Sequence, residues 1–142
     1  MNLFLINITY QRQTGEDNPG KVKETYVVES INPSNAEARL LEEIKPFIFG
    51  DHEVQRINKR NFRDIFPKAD GEYWYTGRVE MITVEDNGRE CRKAVTVLVE
   101  ACDITDALNI LKNEMACYDC EIIGVAKSPI IEVYRATNDV TE

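Results

Sequence analysis

The chain has 142 residues, 43% hydrophobic and 30% charged, a composition that fits an ordinary folded domain and excludes collagen, coiled coil and intrinsic disorder. With 17 basic and 25 acidic side chains the net charge is −8, which disfavours binding to a nucleic-acid duplex, where affinity comes mostly from neutralising phosphates.

The first elements are two strands rich in β-branched and aromatic residues, Leu3–Tyr10 and Val22–Ser30. They flank a polar loop, Gln11–Gly20, with Gly15, Pro19 and Gly20 as breakers. A helix is predicted next. Asn32 is its N-cap, because a short side-chain oxygen can accept from a free backbone N–H, and Pro33 takes the first helical position at no cost. Ala36, Leu40, Leu41 and Ile44 recur at helical spacing, with Glu37, Glu42 and Glu43 on the other face, and Pro46 ends the helix. A strand over Glu53–Ile57 and a short one over Phe62–Phe66 follow.

The same series then recurs. Strands Trp74–Val84 and Glu90–Ala101 flank Glu85-Asp86-Asn87-Gly88, where Asn-Gly predicts a type I′ turn. Asp103 caps a second helix with Ala107, Leu108, Leu111 and Met115 on its apolar face and Lys112 and Glu114 on the other. A strand over Glu121–Val125 and a short one over Ile130–Tyr134 close it, with Pro129 at the break. Tyr26-Val27-Val28-Glu29-Ser30 matches Val97-Leu98-Val99-Glu100-Ala101, and Asn32-Pro33-Ser34-Asn35-Ala36 matches Asp103-Ile104-Thr105-Asp106-Ala107. The offset slips from 71 to 68 before Glu53-Val54-Gln55-Arg56-Ile57, which matches Glu121-Ile122-Ile123-Gly124-Val125.

The expected fold is therefore α+β: a duplicated ββαβ(β) unit with pseudo-twofold symmetry, its helices packed on one face of largely antiparallel sheet. The first repeat covers 1–70, the second 71–135, and 136–142 is a polar tail. Each copy alone has a small core, so the two are expected to share one. Residues 1–72 carry net −2 and residues 73–142 net −6.

Four cysteines occur, Cys91, Cys102, Cys117 and Cys120, the last two as C-x-x-C. A four-thiolate zinc site needs all four around one ion. Cys91 and Cys102 bracket a strand spanning roughly 35 Å, and Cys102 and Cys117 bracket a helix roughly 18 Å long. Small half-buried thiols are the better reading, and no metal or cofactor is expected. The longest apolar runs are too short for a membrane span, and Met1–Asn7 has no basic leader, so a cytoplasmic location is expected.

Glu24, Tyr26-Val27-Val28 and Asn35-Ala36-Glu37-Ala38-Arg39, leading to Glu42-Glu43, then Gly50, Trp74-Tyr75 and Ile82-Thr83, form a specific series over residues 1–135. It resembles an uncharacterised domain-of-unknown-function family of gut anaerobes, their phages and mobile elements. The resemblance implies a full-length small protein of phage or mobile-element type, and a non-enzymatic helper such as a replication accessory or a counter-defence binder.

Side chains with catalytic potential are sparse. His52 is the single histidine, in a loop beside Asp51 and Glu53, and no Walker loop, dinucleotide fingerprint or H-E-x-x-H helix occurs. Glu42-Glu43 reads as a solvated helix face and Asp103/Asp106 as a cap, so no enzyme is expected. One segment departs from the acidic background. Arg56, Lys59, Arg60, Arg63 and Lys68 fall within residues 53–68, with Phe62, Phe66, Tyr73, Trp74 and Tyr75 interleaved or following. Cations beside aromatic faces can hold a phosphate and stack a base. The plainer alternative is an edge strand that Lys and Arg protect from aggregation, with Trp74 and Phe62 in the core. The expected ligand site is Arg56, Lys59, Arg60, Arg63, Trp74 and Tyr75, sequestering an anionic, nucleotide-like small molecule. A homo-oligomer would let both copies contribute at an interface. The alternatives are an acidic inhibitor of a host protein and a single-stranded nucleic-acid accessory protein.

Overall fold

The computed structural model describes residues 1–12, 20–48 and 51–136. The expected breakers Gly15 and Pro19, Gly50 and the tail residues 137–142 lie outside the described residues. Over these residues the fold is α+β, with two helices and eight strands in two mostly antiparallel sheets. The strands are β1 (Asn2–Arg12), β2 (Gly20–Ser30), β3 (His52–Arg60), β4 (Ile65–Phe66), β5 (Tyr73–Val84), β6 (Glu90–Ala101), β7 (Cys120–Lys127) and β8 (Ile130–Tyr134); the helices are α1 (Pro33–Ile44) and α2 (Ile104–Glu114). A single 3-10 turn containing Pro46, Lys45–Phe47, follows α1. The chain forms two compact units, Met1–Asn61 with Pro129–Glu142, and Phe62–Ser128.

In the first unit the strand order is β3-β1-β2-β8. Antiparallel pairing sets Ile6 opposite Tyr26 and Phe4 opposite Val28. Because side chains alternate, Phe4, Ile6, Ile8 and Tyr10 project to one face, where they bury against Ala36, Leu40 and Ile44 of α1. The Asn32 side chain accepts from the Asn35 backbone N–H at 2.7 Å, satisfying one of the free donors of the first turn.

The second unit has the order β4-β6-β5-β7. Tyr75, Val79, Val97, Val99 and Ala101 bury against Ala107, Leu111 and Met115. Asp103 caps α2 by accepting from the Asp106 N–H at 2.7 Å. Gly77 lets the helix come close, since a Cβ there would stand 2.8 Å from Leu111 and 2.9 Å from Val97. The β5–β6 turn differs from the type I′ expectation. No described non-glycine residue has positive φ, so Asn87 does not; Gly88 alone does, at 84°. Its N–H bonds to the Glu85 carbonyl at 2.9 Å and the Glu85 N–H to the Arg89 carbonyl at 2.8 Å, which makes a three-residue loop with glycine at the left-handed position.

The two shortest strands run parallel to their neighbours. Ile65 and Phe66 pair with Leu98 and Val99 on β6, so β4 extends the sheet of the hairpin that follows it. Val133 and Tyr134 pair with Val27 and Val28 on β2, so β8 returns to the sheet of the first hairpin. A carboxylate fastens each: Glu100 accepts from the Lys68 N–H at 3.0 Å and Glu29 from the Ala136 N–H at 3.0 Å.

Leu111, on the buried face of α2, is fully buried. Leu111→Ala is expected to lower stability by about 2–5 kcal/mol, read as a drop in the urea midpoint at unchanged slope.

Candidate functional site

Since β1 turns Ile6 and Ile8 toward α1, it must turn Asn7 and Thr9 to the opposite face of the sheet. There the register places Asn7 between Thr25 on β2 and Arg56 on β3. The Thr25 hydroxyl donates to Asn7 Oδ1 at 2.8 Å, which orients the amide so that its N–H2 group remains available. Beside this row the β1–β3 ladder slips. Arg56 pairs with Asn7 but Val54 pairs with Ile8, leaving Gln55 as the extra residue of a β-bulge. A bulge breaks strict alternation. Gln55 and Arg56, though consecutive, both line one pocket of about 330 Å³, together with Asn7, Ile8, Lys23, Glu24 and Thr25.

The pocket carries two cations and one carboxylate. Glu24 Oε1 accepts from the hydroxyls of Tyr10 and of Tyr26, the latter at 2.9 Å. The Tyr26 hydroxyl is held far above its ordinary range, first by burial and then by its bond to Glu24, so it stays protonated and keeps donating. Its ring stacks on Tyr134 with centroids 6.0 Å apart. Lys23 and Arg56 form no ion pair with any described residue. Their charge faces the pocket uncommitted.

The expected site residues divide between the two units. Arg56, Lys59 and Arg60 lie on β3, the edge strand of the first unit's sheet, and alternation puts Lys59 on the face opposite Arg56 and Arg60. Arg63, Trp74 and Tyr75 belong to the second unit. The Arg63 guanidinium pairs with Asp64 and sits 4.6 Å above the Tyr118 ring, so it is already occupied. Trp74 and Tyr75 are 3% and 4% exposed. This corrects the expectation that they stack on a ligand: burial leaves neither ring an open face, and Tyr75 packs under α2. Lys23 and Gln55 were not foreseen. The signal for Lys23 was present, since Lys23 and Thr25 alternate with Val22 and Tyr26, which pack in the core, on a strand pairing with Asn7.

Several other charged groups are engaged in structural pairs. Lys68 Nζ donates to Asp106 Oδ2 at 2.7 Å, and the same oxygen accepts from the Cys102 N–H at 3.0 Å. These bonds, Lys68 first, hold the Asp106 carboxyl below its usual range. Arg92 donates to Glu121 at 2.6 Å and to Glu80 and Glu90 at 3.3 Å. The four cysteines are free: Cys91 donates to Glu85 at 3.1 Å, Cys102 to the Asp70 carbonyl at 3.5 Å and Cys120 to the Met115 carbonyl at 3.8 Å, while Cys117 is exposed. Among the described residues no group of three or more His, Cys, Asp and Glu is placed to hold a metal ion. None of their helices is long and apolar enough to cross a membrane.

The family model described as Domain of unknown function (DUF4494) matches residues 2–136. The chain belongs to the DUF4494 family. A comparison of this DUF4494 protein with curated proteins found no match. The matched span takes in all eight strands and both helices, and with them the whole of the polar pocket.

The Tyr26–Glu24 pair gives a titration test. A tyrosine held above its ordinary value of about 10 keeps its proton while the unfolded chain loses it, so stability falls as pH rises beyond 10. Tyr26→Phe is expected to make that alkaline loss shallower, checked by urea unfolding at successive pH values. An unchanged slope would contradict the raised Tyr26 value.

Proposed function

We propose that this DUF4494 protein is a non-enzymatic binding protein that captures an anionic, phosphate-bearing small molecule in the bulged pocket of its first sheet. The observation that carries the reading is that Lys23 and Arg56, neither with an acidic partner among the described residues, line one pocket with amide and hydroxyl donors. Charged donors make the stronger hydrogen bonds, and a guanidinium can meet two phosphate oxygens at once. The Asn7 N–H2 and the Gln55 amide add neutral donors. A pocket of about 330 Å³ is within the range of small-molecule sites. Holding the ligand by such bonds requires no bond to be broken in it, so the action is sequestration. A counter-defence role, in the phage or mobile-element setting that the resemblance implies, is one use of such a binder.

We also infer that the chain arose by duplication of a ββαβ segment. The two units share a strand order in which the third long strand pairs with the first, and a parallel short strand is added beside the second. Both helices are capped at the same bond length, and Glu29 and Glu100 fasten equivalent backbone groups.

Calorimetry with inorganic pyrophosphate and with linear and cyclic nucleotides tests the binding reading. Wild type is expected to bind. Arg56→Ala and Lys23→Ala each lose a charged hydrogen bond of about 1.5–3 kcal/mol and should weaken binding roughly 10- to 100-fold. Lys59→Ala, on the opposite face, should leave affinity unchanged. Absence of binding, or equal sensitivity to all three substitutions, contradicts the pocket. A steep salt dependence confined to oligonucleotides would favour the single-stranded nucleic-acid reading instead.

A further inference from the structure

The bulge of the first unit has a counterpart in the second. Arg78 on β5 pairs with Thr96 on β6 and with Gly124 on β7. Val79, the next residue, pairs with Ile122, so Ile123 is the extra residue. Val79 faces α2 and Gly77 lies under it, so Arg78 and Thr96 project to the face away from the helix. The row is a threonine, a cation and a bulged edge strand, as in Thr25, Asn7 and Arg56. The cation, however, has changed strands. In the first unit the edge strand supplies it, beside Asn7; in the second the central strand supplies it, beside a glycine. Arg78 is exposed and forms no ion pair with any described residue. A side chain at Gly124 would meet nothing within 4 Å, so the space beside Arg78 is open.

From this arrangement we propose that the second unit holds a second anion-binding position, centred on Arg78 with Thr96 and Gly124, for the same phosphate-bearing class of ligand. The proposal rests on the reading of the first pocket as an anion site. Its neighbours set its strength. Ala94 stands opposite Glu80 where Lys23 stands opposite Thr9, so the second position lacks one cation. Glu80 and Glu121, paired in the adjacent row, are held by Arg92. The Arg78 position is therefore weaker by roughly 10- to 100-fold, the loss of one charged hydrogen bond.

Calorimetric titration with pyrophosphate separates the two positions, with folding checked by circular dichroism. Arg56 and Arg78 are both exposed, so their alanine variants are expected to fold. Wild type should show two sites, Arg56→Ala only the weaker and Arg78→Ala only the tighter. One wild-type site that Arg56→Ala abolishes and Arg78→Ala leaves intact overturns the second position and keeps the first. One site abolished by Arg78→Ala alone overturns the first and keeps the second. No binding by wild type overturns both.

Discussion

Each sheet is covered by one helix, and one helix can cover only one face. From this limit the rest follows. The strands alternate, so every apolar side chain sent toward α1 or α2 is followed by one sent the other way. In β1 the sequence Ile6-Asn7-Ile8 alternates core, polar, core, and in β5 Gly77-Arg78-Val79 does the same. The polar members need partners across the ladder, and these are a hydroxyl on one side and a bulged edge strand on the other. A bulge adds one residue without shifting the apolar set off the core face, so it adds a side chain to the polar row while Val54 and Ile122 stay with the core. That is how Gln55 joins Arg56 in one pocket.

Charge is distributed along the same lines. In an acidic chain, cations would be expected to find carboxylates, and Arg39, Arg63, Lys68, Arg92 and Arg135 do. Lys127 instead rests on the Tyr73 ring, 3.6 Å from its centroid. Among the cations with no such partner among the described residues, Lys23, Arg56 and Arg78 are the ones that stand in or beside the polar rows. The one carboxylate in the first pocket, Glu24, accepts from two tyrosine hydroxyls. Exposed pairs contribute little to stability, so the lack of one at Lys23, Arg56 and Arg78 costs the fold little and leaves their charge available for binding.

Local features were legible in the residues. Asn32 and Asp103 as caps, the apolar faces of both helices and the long strands of both hairpins follow from capping chemistry and periodicity, which act within a few residues. Pairings between distant segments were not. Nothing in Ile65-Phe66 says that it lies beside Leu98 and Val99, because a two-residue strand has no period of its own. The Asn-Gly turn pointed to type I′, yet Asn87 keeps negative φ because the loop closes one residue later, on Arg89. The basic run is plain in the residues, but within β3 alternation sends Lys59 to the other face, and Arg63 goes to Asp64 and Tyr118. Trp74 and Tyr75 could be ligand platforms or core on sequence alone, and only burial decides for core. Bulges leave no mark in a single sequence, so Gln55 was invisible as a pocket residue.

The central claim is that the polar rows, and not the basic edge as such, receive the anion. Backbone amide mapping by nuclear magnetic resonance during a pyrophosphate titration tests it most directly. Shifts concentrated at Asn7, Lys23, Thr25, Gln55 and Arg56, with a second group at Arg78, Thr96 and Gly124 at higher ligand, are the predicted result. Shifts that follow Lys59 and Arg60 along the edge, or spread evenly over every lysine and arginine, would contradict it.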